Sequence, residues 1–166
     1  TTGATGSVIV QSRRTGGSYG CSASAWSTIS TWTVGSAVVA PTLNVASPVN
    51  ATTICAGYNG PSATINSGTG GSTGSSDSYE YSINNGTGWS SYTPGATINT
   101  TGASTNVLIR VSRSAGSYGC SAVGPTTIVT WPVASTPTAP TLSAANPASG
   151  STICVGYNTG TVIGTE

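Results

Sequence analysis

The sequence has no lysine, histidine, methionine or phenylalanine, and its charged side chains amount to four arginines and three acids in 166 residues. Each shortage excludes something. General acid–base catalysis needs titratable groups, and a nucleophilic Ser, Thr or Cys needs a neighbouring base to activate it. Without His or Lys the many hydroxyls have no such base. The acids are Asp77, Glu80 and Glu166. Asp77 and Glu80 are three residues apart, so an extended chain sends them to opposite faces and a paired-carboxylate mechanism lacks its geometry. No catalytic residue is assigned, and the chain is expected not to be an enzyme. A net charge of +1, with Arg13-Arg14 as the single basic cluster, leaves no electrostatic footprint for nucleic acid. The longest apolar runs, such as Val107-Leu108-Ile109, are too short to span a bilayer. Residues 1–20 lack the basic and apolar regions of a signal peptide, so any export signal is expected outside this segment.

Cofactor and metal motifs are missing as well. The Gly68–Gly74 stretch has no Lys and no helix pattern after it, so it is not a phosphate loop. The region 134–142 contains no acid with which to hold calcium. The four cysteines include no Cys-x-x-Cys and have no His to join them in binding zinc. No cofactor and no metal are expected.

What is present is serine and threonine, 27 and 29 residues, with 23 glycines. Such a composition approaches that of disordered chains. Seven Tyr, four Trp and segments of alternating apolar and polar residues argue for a packed core instead. The dominant feature is repetition. Gly17-Ser18-Tyr19-Gly20-Cys21 returns as Gly116-Ser117-Tyr118-Gly119-Cys120, 99 positions later, and sliding the chain by 99 gives 31 identities in 67 pairs without a gap. A fixed long period marks an array in which each repeat is one structural unit. Ala-Pro-Thr-Leu at 40–43 and 139–142 marks the boundaries. Residues 1–39 are then the end of one module, 40–138 a complete module and 139–166 the start of another. Neither partial module supplies a counterpart of residues 68–99, which favours a window cut from a longer array.

Within the complete module, short β segments separated by turn residues predict a sandwich and no helix. Strands are expected at Pro41–Ala46 and at Thr52–Gly57, the second carrying Cys55. A loop with a flexible core covers Gly60–Ser78, with room for a short strand at Ala63–Ile65. Tyr79, Tyr81 and Ile83 share one face of the next strand, and Asn84-Asn85-Gly86 closes a hairpin through a type I′ turn. Val107, Ile109 and Val111 point inward from the strongest strand, Asn106–Arg113, with Arg110 and Ser112 outward. The last strand is Thr126–Val133, in which Ile128 and Trp131 fall on opposite faces.

Four cysteines in a Lys-free, Ser/Thr-rich chain point to an oxidising compartment. Two pairings respect the period: Cys55 with Cys120, leaving Cys21 and Cys154 to partners outside the segment, or Cys21 with Cys55 and Cys120 with Cys154. Strands running up and down a sandwich favour the first, because the last strand leads away from Cys120 before the next module begins. Sequons stand at Asn50, Asn85 and Asn99, candidate glycosylation sites where the source modifies them. Trp89 and Tyr92, with Trp26 and the Gly68–Ser78 loop, are candidate sugar contacts.

Thr53-Ile54-Cys55-Ala56-Gly57, Val107–Val111 followed by Gly119-Cys120-Ser121-Ala122, and the closing Ile128-Val129-Thr130-Trp131-Pro132-Val133 together resemble the immunoglobulin-like repeats of very large Bacteroidota surface proteins, including gliding-motility adhesins. The resemblance implies tandem immunoglobulin-like β-sandwich modules, secretion to the cell surface, and a bridge between Cys55 and Cys120. Tyr79 and Tyr81 stand where a true immunoglobulin domain has its core Trp. The function expected from all this is a non-catalytic structural segment of an extracellular filament or adhesin stalk. Its partners would be neighbouring copies or modules of the same protein. The alternative is a carbohydrate-binding surface module for host or environmental glycans, with nucleic acid and membrane insertion excluded in both.

Overall fold

The computed structural model describes residues 4–158 and 160–165. The chain is all-β and divides into two compact units, Thr1–Ala134 and Ser135–Glu166. In order, the first unit contains β1 (Ser7–Ser12), β2 (Ser27–Thr33), β3 (Thr42–Ser47), β4 (Ile54–Cys55), β5 (Ser62–Asn66), β6 (Asp77–Ser82), β7 (Ser90–Ser91), β8 (Val107–Arg113), β9 (Val123–Trp131) and β10 (Val133–Ala134). The second contains β11 (Thr141–Asn146) and β12 (Thr161–Thr165).

The centre of the first unit is a four-stranded sheet in the order β7-β6-β8-β9. Period-two alternation decides its inner face. Val107, Ile109 and Val111 on β8 and Val129 and Trp131 on β9 are almost wholly buried, as alternation in β8 predicts. Across this face lie the antiparallel pair β3-β5 and the short parallel pair β4-β10. They contribute Ile54 and Ala63 to a core completed by Tyr92, Ile98 and Ala103. Tyr79, Tyr81 and Ile83 pack against this core half-buried, and so does Ile128, which was expected on the opposite face from Trp131: the ladder skips it, with Val129 facing Ile109 and Thr127 facing Arg110, so the extra residue breaks the alternation.

Three local expectations change. The strand expected over Thr52–Gly57 shrinks to Ile54–Cys55, because the chain there wraps the end of β9: Ala51 N–H donates to the Thr130 carbonyl and Ile54 N–H to the Pro132 carbonyl, each at 2.8 Å. The short segment Ala63–Ile65 belongs to the strand that pairs with β3 along its length. The Gly60–Ser78 loop is pinned rather than flexible at its core. Val39 and Thr69 form a two-way backbone bridge, and Gly71 N–H donates to the Ser36 carbonyl at 2.9 Å. Arg113 reaches the Gly70 carbonyl through Nε at 3.2 Å, and Asp77 accepts from Gly68 N–H at 3.0 Å. The hairpin turn forms as expected: Asn85 and Gly86 both have positive φ, and Thr87 N–H donates to the Asn84 carbonyl at 3.2 Å.

Strand registers recur. Val8 faces Trp32 and Val10 faces Ser30 in β1-β2, while Val107 faces Trp131 and Ile109 faces Val129 in β8-β9. Thr42 faces Asn66 and Ala46 faces Ala63 in β3-β5, while Thr141 faces Thr165 and Ala145 faces Val162 in β11-β12. Every residue of the second pair in each comparison stands 99 positions after its counterpart in the first.

Candidate functional site: the open apolar faces and the cysteines

The same residue pattern is covered in one place and bare in another. Trp131 is 0% exposed, and its indole Nε1–H donates to the Pro48 carbonyl at 2.8 Å. The Asn50 side chain extends this cover over β9, its Oδ1 accepting from Thr130 N–H at 2.8 Å. Trp32, at the matching place on β2, is 56% exposed, and Val10 beside it is exposed as well. The Ser135–Glu166 unit shows the complementary half of this situation. Ile153 is 56% exposed where its counterpart Ile54 is 5% exposed, and Leu142 is exposed where Leu43 packs against the core. Ala145, Pro147, Ile153 and Tyr157 line a pocket of about 420 Å³ in that unit.

The open end of β1-β2 leads into a groove of about 910 Å³, lined on one side by Trp32, Val34 and Gly35 and on the other by Gly71, Tyr118 and Cys120. The repeated pentapeptide forms this second wall. Gly116 and Gly119 both have positive φ there, and Tyr118 N–H donates to Ser72 Oγ at 3.0 Å. A Cβ at Gly116 would stand 2.5 Å from the Ser72 carbonyl oxygen, so only glycine fits the turn as it packs.

The cysteine positions correct the expected bridge. All four thiols are free. Cys55 pairs with Ala134, beyond the Trp131 end of β9, whereas Cys120 precedes the Val123 end. The nine residues of β9 lie between these ends, a span of roughly 26 Å at ~3.3 Å per residue. A disulfide needs Cα atoms within about 7 Å, so Cys55 and Cys120 do not bridge within this unit. The last strand does lead away from Cys120, as expected. What the sequence hid is that the wrap around the end of β9 carries Cys55 to the far end. Cys21 lies in the connection at the turn end of β1-β2, away from the groove, and Cys154 is exposed in the second unit.

The candidate sugar contacts separate. Tyr92 is 6% exposed and belongs to the core. Its hydroxyl accepts from Ala63 N–H at 2.7 Å and lies 2.9 Å and 3.0 Å from the carbonyls of Ala63 and Ala96, one of which takes its proton. It is therefore not available to a glycan. Trp89 is half-buried with the Arg110 guanidinium 3.9 Å over its ring, and Arg13 stands 4.8 Å over Trp26 in the same way. One face of each indole is thus already stacked. Asn50, Asn85 and Asn99 are all exposed.

The described acids are each joined to an arginine directly across the β6-β8 ladder. Glu80 accepts from Arg110 Nε at 2.7 Å, and Asp77 accepts from Arg113 at 2.7 Å. Burial alone would raise the Asp77 pKa, but hydrogen bonds from Arg113, Gly68 N–H and the Tyr79 hydroxyl outweigh it and hold the carboxyl below its ordinary value. Burial and the neighbouring Asp77 carboxylate raise the Tyr79 hydroxyl. Glu166 lies outside the described residues. Among the described residues no three His, Cys, Asp or Glu side chains gather as a metal site, and no helix is long and apolar enough to cross a membrane.

No family model matches the chain, and no curated protein or solved structure matches it either.

Proposed function

We propose that this chain is a non-catalytic structural segment of an extracellular filament or adhesin stalk, built from tandem immunoglobulin-like sandwiches with a 99-residue period. The observation that carries the reading is the recurrence of strand register at positions 99 apart, in β1-β2 against β8-β9 and in β3-β5 against β11-β12. Chemistry supports the same reading. Asp77 and Glu80 are spent on Arg113 and Arg110, and the polar surface is mostly hydroxyl and amide, suited to a soluble shaft. The resemblance to repeats of large Bacteroidota surface proteins points the same way and suggests secretion and partners that are copies or modules of the same protein.

Electron microscopy of the native assembly tests this. Beads spaced by about one sandwich length along a fibre are expected. A discrete globular particle with no lateral or axial partner would overturn the reading.

A further inference from the structure

We propose that a disulfide crosses each junction between consecutive repeats of one chain, joining the cysteine at the Cys55 position of a repeat to the cysteine at the Cys120 position of the next. The inference rests on the tandem-array reading and adds a covalent bond to it.

The complete module shows where its two thiols stand. Cys55 pairs in parallel with Ala134 on β10, the strand by which the chain leaves the module. Cys120 stands at the other end of β9 and shares a groove with Gly35, where the chain arrives from the repeat before. Each module thus carries one thiol at its exit and one at its entry. A bond within the module would have to run the length of β9. A bond from Cys21 to Cys55 has further to go, since Cys21 lies at the turn end of β1-β2 and Cys55 at the exit of the module that follows. Exit to next entry is the remaining pairing of early with late cysteines between neighbouring repeats, and it obeys the 99-residue period.

The junction at Gly35 shows that the two positions meet. Gly35 stands 99 positions before Ala134, so it is the exit residue of the preceding repeat. Residues paired across adjacent strands project to the same face. A cysteine held beside Gly35, as Cys55 is held beside Ala134, therefore points where a Gly35 side chain would. That direction is fixed: a Cβ on Gly35 would run into the Gly71 carbonyl, with Ser72 N 3.7 Å away. The same loop is fastened to the turn that carries Cys120. Ser117 N–H donates to the Thr73 carbonyl at 3.0 Å, and Tyr118 N–H donates to Ser72 Oγ at 3.0 Å. The connector holds the two modules in this arrangement, through Gly71 N–H on the Ser36 carbonyl and the two-way bridge between Val39 and Thr69. The backbone thus brings the thiols to one place before any oxidation.

Closing the bond takes two electrons, which a disulfide-bearing oxidant of the oxidising compartment, a protein disulfide or oxidised glutathione, accepts. The thiolate at the Cys55 position attacks that disulfide and releases one of its sulfurs as a thiol. The thiolate at the Cys120 position then attacks the cysteine sulfur of the mixed disulfide, forming the new bond and releasing the second sulfur, and the two cysteine protons end on the two released thiols. Residues 56–119 lie inside the loops these bonds close, so tension along a stalk bypasses β6 and β8 while the bonds last.

Peptide mapping of the native assembly, with thiols alkylated before unfolding and disulfides left intact, is the test. Cys55 should come off joined to a peptide of the following repeat, and Cys120 joined to a peptide of the preceding one. A non-reducing gel should show single chains. In the native protein carrying Cys55→Ser, one new alkylated thiol should appear in the following repeat while Cys120 stays bonded. Cys120→Ser should instead free the early cysteine of the repeat before and leave Cys55 bonded. The 166-residue chain alone holds none of these partner pairs, so oxidised glutathione should add to its thiols without forming an internal bridge. A Cys55–Cys120, Cys21–Cys55 or Cys120–Cys154 peptide, chains linked to one another, or Cys55 and Cys120 both recovered alkylated would each overturn the proposal. Beaded native fibres with both cysteines alkylated would remove the bond and leave the fibre reading standing. A globular native particle would remove the fibre reading itself.

Discussion

Asp77 carries more of the fold than a surface acid would. It receives Arg113, Gly68 N–H and the Tyr79 hydroxyl, while Arg113 also holds the Gly70 carbonyl, so one ion pair ties the glycine-rich loop to the central sheet. Because the folded carboxyl is held below its ordinary value of 3.8, its contribution is present above that pH and is lost as pH falls through the lower folded value. Urea midpoints should therefore drop on acidification below the ordinary value more steeply in the wild type than in Asp77→Asn. At neutral pH that variant should be less stable by about 1 to 3 kcal/mol. Trp131 and Trp32 offer a second contrast. Trp131→Ala empties a buried site and should cost about 3 to 5 kcal/mol in chemical denaturation, whereas Trp32→Ala should change the stability of the monomeric chain by less than about 1 kcal/mol. Much of this was not legible in the sequence. Alternation in β8 identified Val107, Ile109 and Val111, since one buried face imposes a period of two. Nothing local told that Tyr92, two residues from the exposed Ser90, would turn inward to serve Ala63. The ion pair of Asp77 was equally hidden, because its partner Arg113 comes from a strand 36 residues away.

At the scale of elements, the repeated pentapeptide shows how one sequence acquires different duties. At 116–120 it packs against Ser72 and Thr73 and forms a wall of the groove. At 17–21 it stands exposed, and a Cβ on Gly17 would meet nothing nearer than 3.9 Å. Gly116→Ala should consequently destabilise the chain by about 1 to 3 kcal/mol, from the forced φ and the close carbonyls, while Gly17→Ala should leave the thermal midpoint nearly unchanged. The strands themselves were mostly readable. Their hairpin turn was announced by Asn85-Gly86, and their β character by alternation. The Cys55–Cys120 bridge was expected from strands running up and down a sandwich, which set Cys55 in a strand of six residues at the same end as Cys120. A two-residue strand that pairs with β10 instead carries Cys55 past the end of β9.

For the whole molecule, the recurrent register means that β1-β2 is built like β8-β9 and β11-β12 like β3-β5, with the Trp131 face of β9 closed within residues 40–138. Sequence identity between the repeats announced the shared pattern, but which copy is covered depends on contacts between segments far apart. The measurement that tests this account most directly is hydrogen exchange at the tryptophan indole N–H groups, compared between the dispersed chain and the assembled fibre. Trp131 should be protected in both states, and Trp32 should exchange freely when dispersed but become protected in the fibre. A Trp32 indole that still exchanges freely in the assembled fibre would contradict the claim that β1-β2 belongs to a module of the same build as residues 40–138.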